Sequence, residues 1–149
     1  MNVDYFMKEA LTEAKKALAS NEIPVGAIIV DNKTEEIISR NYNQMHTLNN
    51  ALKHCEMNLI FEVCEKLKIK YLDNMTMFVT LEPCSMCASA ISKVHLDSLY
   101  FGAYDEKNGG IEKIRIAFER KNIFTTNIYG GIMEEECSII LKDFFKKIR

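Results

Sequence analysis

The sequence predicts an α/β fold, a three-layer α/β/α sandwich in which one domain spans residues 1–149. Three observations lead there. Pro24-Val-Gly-Ala-Ile-Ile-Val30 and Met75-Thr-Met-Phe-Val-Thr-Leu81 are short, apolar runs of strand length. Met7, Ala10, Leu11, Ala14 and Leu18 near one end, and Cys137, Ile140, Leu141, Phe144, Phe145 and Ile148 near the other, recur at helical spacing. Between them, candidate strands and helices alternate, the pattern of a sheet with helices on its faces. A chain of 149 residues is long enough to bury a core without staples.

Taken in order, the first amphipathic stretch predicts a helix over residues 3–20. The strand at 24–30 meets a polar turn, Asp31-Asn-Lys-Thr-Glu35, and Glu36-Ile-Ile-Ser-Arg40 reads as the returning arm of a hairpin. Residues 53–68 place Met57, Ile60, Cys64 and Leu67 on one face of a second helix. The strand at 75–81 runs straight into Pro83-Cys84, after which a helix should continue to about Lys93. Ser98-Leu-Tyr-Phe-Gly102 reads as a strand, and Gly109-Gly110 as a loop before a helix around 111–120. Asn127-Ile-Tyr129 is a weak last strand, and the C-terminal apolar stripe closes the chain as a helix. No repeat, linker or low-complexity segment interrupts the series.

Composition excludes several classes. With 48% hydrophobic and 27% charged residues the chain reads as soluble and globular. No apolar run is long enough to span a bilayer, and the acidic, amphipathic start, Met1-Asn-Val-Asp-Tyr-Phe-Met-Lys-Glu9, does not read as a secretory signal. Five cysteines, an odd number, point to reduced thiols in a cytoplasmic protein, with a metal a more natural use for them than disulfides. The net charge of −2 leaves no overall basic footprint, so a nucleic-acid substrate would have to be met by a local patch.

The chemistry concentrates in two places. In Thr80-Leu-Glu-Pro-Cys-Ser-Met-Cys87, Pro83 is suited to the first turn of a helix, where its missing N–H costs nothing. Cys84 and Cys87 then sit at a helix N-terminus on one face, where free backbone N–H groups favour thiolates. In Lys53-His54-Cys55-Glu56, a histidine offers a nitrogen ligand two residues before a carboxylate. A Cys-x-x-Cys pair alone has a rival reading, a thioredoxin-like redox couple; His54 weakens that rival by offering a nitrogen ligand on another helix. Three protein ligands leave the fourth position of a catalytic zinc open to water, whose pKa falls from ~15.7 to about 7. Glu56 would be the proton shuttle. Residues two apart do not share a face of a regular helix, so His54 and Glu56 should lie in an irregular first turn. His-x-Glu followed by Pro-Cys-x-x-Cys is the signature of zinc-dependent base deaminases.

With "EIPVGAIIV", "TLEPCSMC", "FGAYD" and the terminal "EECSIILKDFFKKIR", the chain resembles bacterial tRNA adenosine deaminases of the TadA type, within the cytidine-deaminase-like superfamily. The resemblance runs from the first helix to the last residues. It implies a five-stranded mixed sheet flanked by helices, a homodimer, one zinc (Zn2+) per subunit, and hydrolytic conversion of the wobble adenosine of a tRNA anticodon stem-loop to inosine with release of ammonia. It assigns His54, Cys84 and Cys87 as zinc ligands and Glu56 as the general acid/base. Asn43 matches the asparagine that holds the flipped base, and Asp105 a residue near the substrate. Phe145 and Arg149 match the RNA-contacting end of the last helix.

Two departures stand out. Where many relatives carry Asp-Pro-Thr-Ala before the histidine, this chain has Asn50-Ala-Leu-Lys53, which alters the pocket wall near the target base. Cys55 replaces a small alanine; it is either an apolar filler or a fourth ligand that would close the site and make the zinc structural. His46 and His95 read as ordinary polar positions, Cys64 and Cys137 as core, and the methionines as packing. Lys66, Lys68 and Lys70 form either a solvated face or an RNA contact; Lys142, Lys146, Lys147 and Arg149 stand where the resemblance places RNA. Two other functions remain open: a zinc deaminase of a small base or nucleotide such as guanine, cytosine or dCMP, and a non-catalytic zinc-stabilised binding module.

Overall fold

The computed structural model describes residues 1–112 and 124–148. The first helix, α1 (Val3–Ala19), starts where the Asn2 side chain accepts the Tyr5 N–H at 3.0 Å, a side-chain cap that satisfies one of the free N–H groups of the first turn. Its apolar stripe buries Phe6, Met7, Ala10, Leu11, Ala14 and Ala17 against the sheet.

Five strands form that sheet: β1 (Gly26–Asp31), β2 (Ile37–Tyr42), β3 (Met75–Leu81), β4 (Ser98–Ala103) and β5 (Asn127–Tyr129), in the order β2-β1-β3-β4-β5. β1 pairs antiparallel with both β2 and β3, whereas β3–β4 and β4–β5 are parallel, so the sheet is mixed. The β1–β2 hairpin is closed by Asp31, whose Oδ1 accepts the backbone N–H groups of Lys33 and Thr34 at 2.8 and 3.0 Å. β3 is buried from Met75 to Thr80, as a central strand covered on both faces should be. Helices α1 and α4 (Glu134–Lys147) lie on one side and share a cleft lined by Leu11, Leu18, Met133 and Ile140; α2 (Cys55–Leu67) and α3 (Ser85–Lys93) pack together on the other.

The helix α1 packs closely on β1 at Gly26. A Cβ there would intrude on the backbone of Ala10 and Ala14 and stand 2.7 Å from the Glu13 carbonyl carbon. Gly26→Ala is therefore expected to lower stability by about 2 kcal/mol or more, because a helix backbone cannot yield as a side chain does; urea denaturation of the two proteins checks this.

Three local expectations need correction. The buried face of α2 is Cys55, Glu56, Asn58, Leu59, Ile60 and Val63; of the expected stripe only Ile60 is buried, while Met57 and Cys64 are half-buried and Leu67 is exposed. Pro83 lies one residue before the cap of α3, not inside its first turn. On α4 only Cys137 and Leu141 of the apolar stripe are buried, and Phe145 and Ile148 face solvent. Of the helix expected around 111–120, residues 111 and 112 are helical and the remainder lies outside the described residues. Among the described residues, no helix is long and apolar enough to cross a membrane.

Candidate active site

The site forms where β3 ends and the N-termini of α2 and α3 converge. Cys84 is the cap of α3 in extended conformation (φ −70°, ψ 174°), which puts Cys87 three residues into the helix on the same side. The Pro83 carbonyl accepts the Gly110 N–H at 2.9 Å, and Cys84 pairs with Gly109 in an isolated bridge. Gly110 has no room for a side chain, because a Cβ would press into the backbone of Cys84 and Ser85. The 109–110 loop therefore lies flat on the cysteine turn and holds its shape.

His54 caps α2, also extended (φ −69°, ψ 148°), so it stands just outside the regular helix while Glu56 is in its first turn. That offset lets two residues of one short segment reach the same space. His54 Nδ1 is 3.7 Å from Cys84 Sγ and 3.6 Å from Cys87 Sγ, and the three ligand atoms lie within 4.8 Å of one another. A tetrahedral metal with bonds of about 2.0–2.3 Å spaces its donors by roughly 3.3–3.8 Å, and both His54–sulfur separations fit. Two sulfurs and one imidazole nitrogen are a donor set that can hold a metal ion. Cys55 stands outside this group; its thiol, fully buried, points instead to Glu56 Oε1 at 3.5 Å. Neither His46 nor His95 joins it: His95 stacks between Tyr71 and Phe124 at 4.3 and 4.6 Å.

The donors share protons. The Cys87 thiol hydrogen-bonds to the Cys84 sulfur and, against the effect of burial and with help from His54, draws the Cys84 pKa down to about 3. The Cys84 thiolate in turn pushes Cys87 up, and burial adds to it. The bond to Cys84 raises the His54 pKa in spite of desolvation. Glu56, 4% exposed, has its pKa raised by burial, an effect that its contacts to Cys87 and His54 only partly offset.

A cavity of about 340 Å³ opens onto this group. Of the residues singled out in the sequence, His54, Cys55, Glu56, Cys84, Asn43 and Asp105 line it. Asn43 is buried, with its N–H on the Val25 carbonyl (3.0 Å) and its carboxamide nitrogen near the Ile23 carbonyl (3.5 Å). Asp105 closes its own loop by accepting the N–H groups of Lys107 and Asn108. Phe145 is not a lining residue; it sits on α4, 41% exposed, edge-on to Phe144 at 5.3 Å. Arg149 lies outside the described residues. Sequence reasoning missed the apolar walls Ile23, Val25, Met45 and Leu81, and the polar pair Glu82 and Asn108. Glu82, next to the Pro-Cys turn, could have been found from its position; it accepts the Asp105 N–H at 3.0 Å.

A family model described as MafB19-like deaminase matches residues 1–149. The tRNA-specific adenosine deaminase of Rickettsia bellii (strain RML369-C) is 45% identical over 144 residues, 96% of this chain and 99% of that protein. The chain belongs to the bacterial tRNA-specific adenosine deaminase family. A second relative of that name, from Aquifex aeolicus (strain VF5), is 40% identical over all of this chain and 97% of its own length. A solved structure from a study of A-to-I editing by tRNA:A34 deaminases at the wobble position of transfer RNA superposes with a TM-score of 0.84 at 37% identity, covering 92% of this chain and 99% of that one. The deaminase family thus accounts for the five-stranded mixed sheet and for the full extent of the chain.

Proposed function

We propose that this protein deaminates the wobble adenosine of a tRNA anticodon to inosine, releasing ammonia, as a zinc enzyme in which His54, Cys84 and Cys87 hold one metal ion per chain. The observation that carries this reading is a buried carboxylate, Glu56, lining the same cavity as His54 and Cys84 of the His–Cys–Cys donor group. Zinc held there supplies Lewis-acid activation of a water molecule. Glu56, with its pKa raised by burial, is suited to take one proton from that water and pass it to the purine ring nitrogen, then to carry the second, from the hydroxyl left on the purine carbon, to the amino group that departs as ammonia. Asn43 offers a carboxamide that donates and accepts at once, which suits it to hold the edge of a base turned out of the anticodon loop. Ile23, Val25 and Leu81 line the cavity with apolar surface and exclude bulk water from the base. Asp105 lines the cavity, and Phe145 with Lys142, Lys146, Lys147 and Arg149 would meet the RNA; the three lysines are exposed on or beside the last turns of α4.

The reading includes a single deaminase domain, a cytoplasmic location and a homodimer. Support for self-association is the exposure of Leu52 and Phe61, at 60% and 62%, on the loop before α2 and on α2 itself. The binding-module alternative requires a fourth protein ligand, and the position of Cys55 outside the donor group argues against it.

The deciding experiment follows inosine by mass spectrometry, with zinc-loaded protein given an anticodon stem-loop carrying a wobble adenosine and, separately, free guanine and cytosine. Inosine in the RNA and no product from the bases is expected. Ammonia from a free base and none from RNA would replace this reading with the small-base one. Stem-loop affinity should fall about tenfold between about 50 and about 200 mM salt, as lysine–phosphate contacts release counterions.

A further inference from the structure

Glu22 is completely buried, although it lies between the end of α1 and the first strand in a segment that reads as a turn. Its carboxylate is covered by a surface loop. Oε1 accepts the His46 N–H at 3.0 Å, and Oε2 accepts both the N–H and the hydroxyl of Thr47 at 2.7 Å. His46 and Thr47 are themselves exposed, and among the described residues no cation forms an ion pair with Glu22. A buried carboxylate compensated by donors of one loop, with the His46 side chain adding a favourable charge interaction, ties that loop down strongly, because letting go would strand the charge.

The loop is the one that matters for the site. It runs from Asn43, which lines the cavity, to His54, and Gln44 and Lys53 join its two ends through a backbone bond of 3.1 Å. Glu22 itself is fixed from below by its N–H on the Ala17 carbonyl at 2.9 Å, and its neighbour Ile23 both lines the cavity and offers its carbonyl to the Asn43 carboxamide. Glu22 does not line the cavity.

We infer that Glu22 is a positioning residue, a buried carboxylate that pins the 43–54 loop and thereby sets the orientation of Asn43 against the bound base. The inference rests on the adenosine deaminase reading. Glutamine cannot replace it: each carboxylate oxygen receives a backbone N–H, so in either orientation the amide nitrogen of glutamine would face a donor.

The test uses zinc-loaded, full-length Glu22→Gln, Thr47→Val and Thr47→Ser, with kcat and KM on the stem-loop counted per zinc-loaded chain, and amide exchange at residues 44–50. Loss of one charge-assisted bond should lower kcat of Glu22→Gln about tenfold. KM should move by no more than about twofold, since the RNA contacts lie elsewhere. Exchange at His46 and Thr47 should accelerate. Thr47→Val, a surface change that leaves the core intact, should show a smaller loss of the same kind, and Thr47→Ser should restore the parent. In an Asn43→Ala background Glu22→Gln should add little, the non-additivity expected of two residues acting as one. A kcat within about twofold of the parent, additive losses, or unchanged exchange would each overturn the inference. If the parent itself forms no inosine, the deaminase reading fails, and the exchange comparison still decides whether Glu22 pins the loop.

Discussion

Glu56→Gln is expected to lower kcat for inosine formation by about 10²–10⁴-fold while leaving one zinc per chain. Among the described residues the carboxylate is the one acid group buried beside the donor set, and its contacts run to Cys87 and His54, so its proton is well placed to move but its loss leaves all three candidate ligands in position. Glutamine keeps the shape and removes the charge. Because burial raises the Glu56 pKa, the ionised form is disfavoured in the fold, and the neutral isostere should melt no lower than the parent. A stable variant with full metal and lost turnover would place Glu56 in the chemistry. A variant keeping more than about a tenth of the activity would show that the proton travels another way.

Metal affinity should fall steeply with acid, at least tenfold per pH unit, since each proton displaced contributes about one power of ten. The sign follows from the three ligands. Cys84, held near pKa 3, is already a thiolate at neutral pH and gives up nothing. Cys87, whose pKa is raised by the neighbouring thiolate and by burial, is a thiol and must release its proton when zinc binds. His54, raised above its usual 6.5, adds a second proton below its own pKa, so the slope should steepen toward about a hundredfold per unit on the acid side. Competition against a chromophoric chelator from about pH 5 to about pH 8 measures it. An affinity flat across that range would mean that Cys87 is not a ligand.

The sequence exposed those features that depend on neighbours in the chain. The strand at 75–81 was legible to the residue, because a buried strand is a local apolar run, and the mostly exposed edge strand at 127–129 has its expected bounds as well. The donor set was legible too, since Cys84 and Cys87 are fixed by helix geometry and His54 by its distance from Glu56. The face of α2 was not. In so short a helix the spacing 57–60–64–67 is as periodic as the true one, and what decides is that Cys55 and Glu56 turn toward the site, where a carboxylate takes a position that hydrophobicity would have denied it. Glu22 shows the same limit more plainly. A glutamate before a proline-led strand looks solvated, and nothing nearby in sequence signals that its partners lie 24 and 25 residues away. Asn43 and Asp105 line the cavity, and the apolar walls were visible only once the strands had brought them together.

The ligands come from either side of a strand: His54 precedes β3, and Cys84 and Cys87 follow it. For the three donors to meet, β3 must already be seated between β1 and β4, with its antiparallel and parallel registers both in place. The binding centre is therefore a product of long-range assembly and cannot serve as its nucleus, unlike a small zinc finger that closes around its ion. Folding is thus expected to precede loading: chelation should leave a folded chain that refills without refolding, and a chain that unfolds on chelation would contradict this.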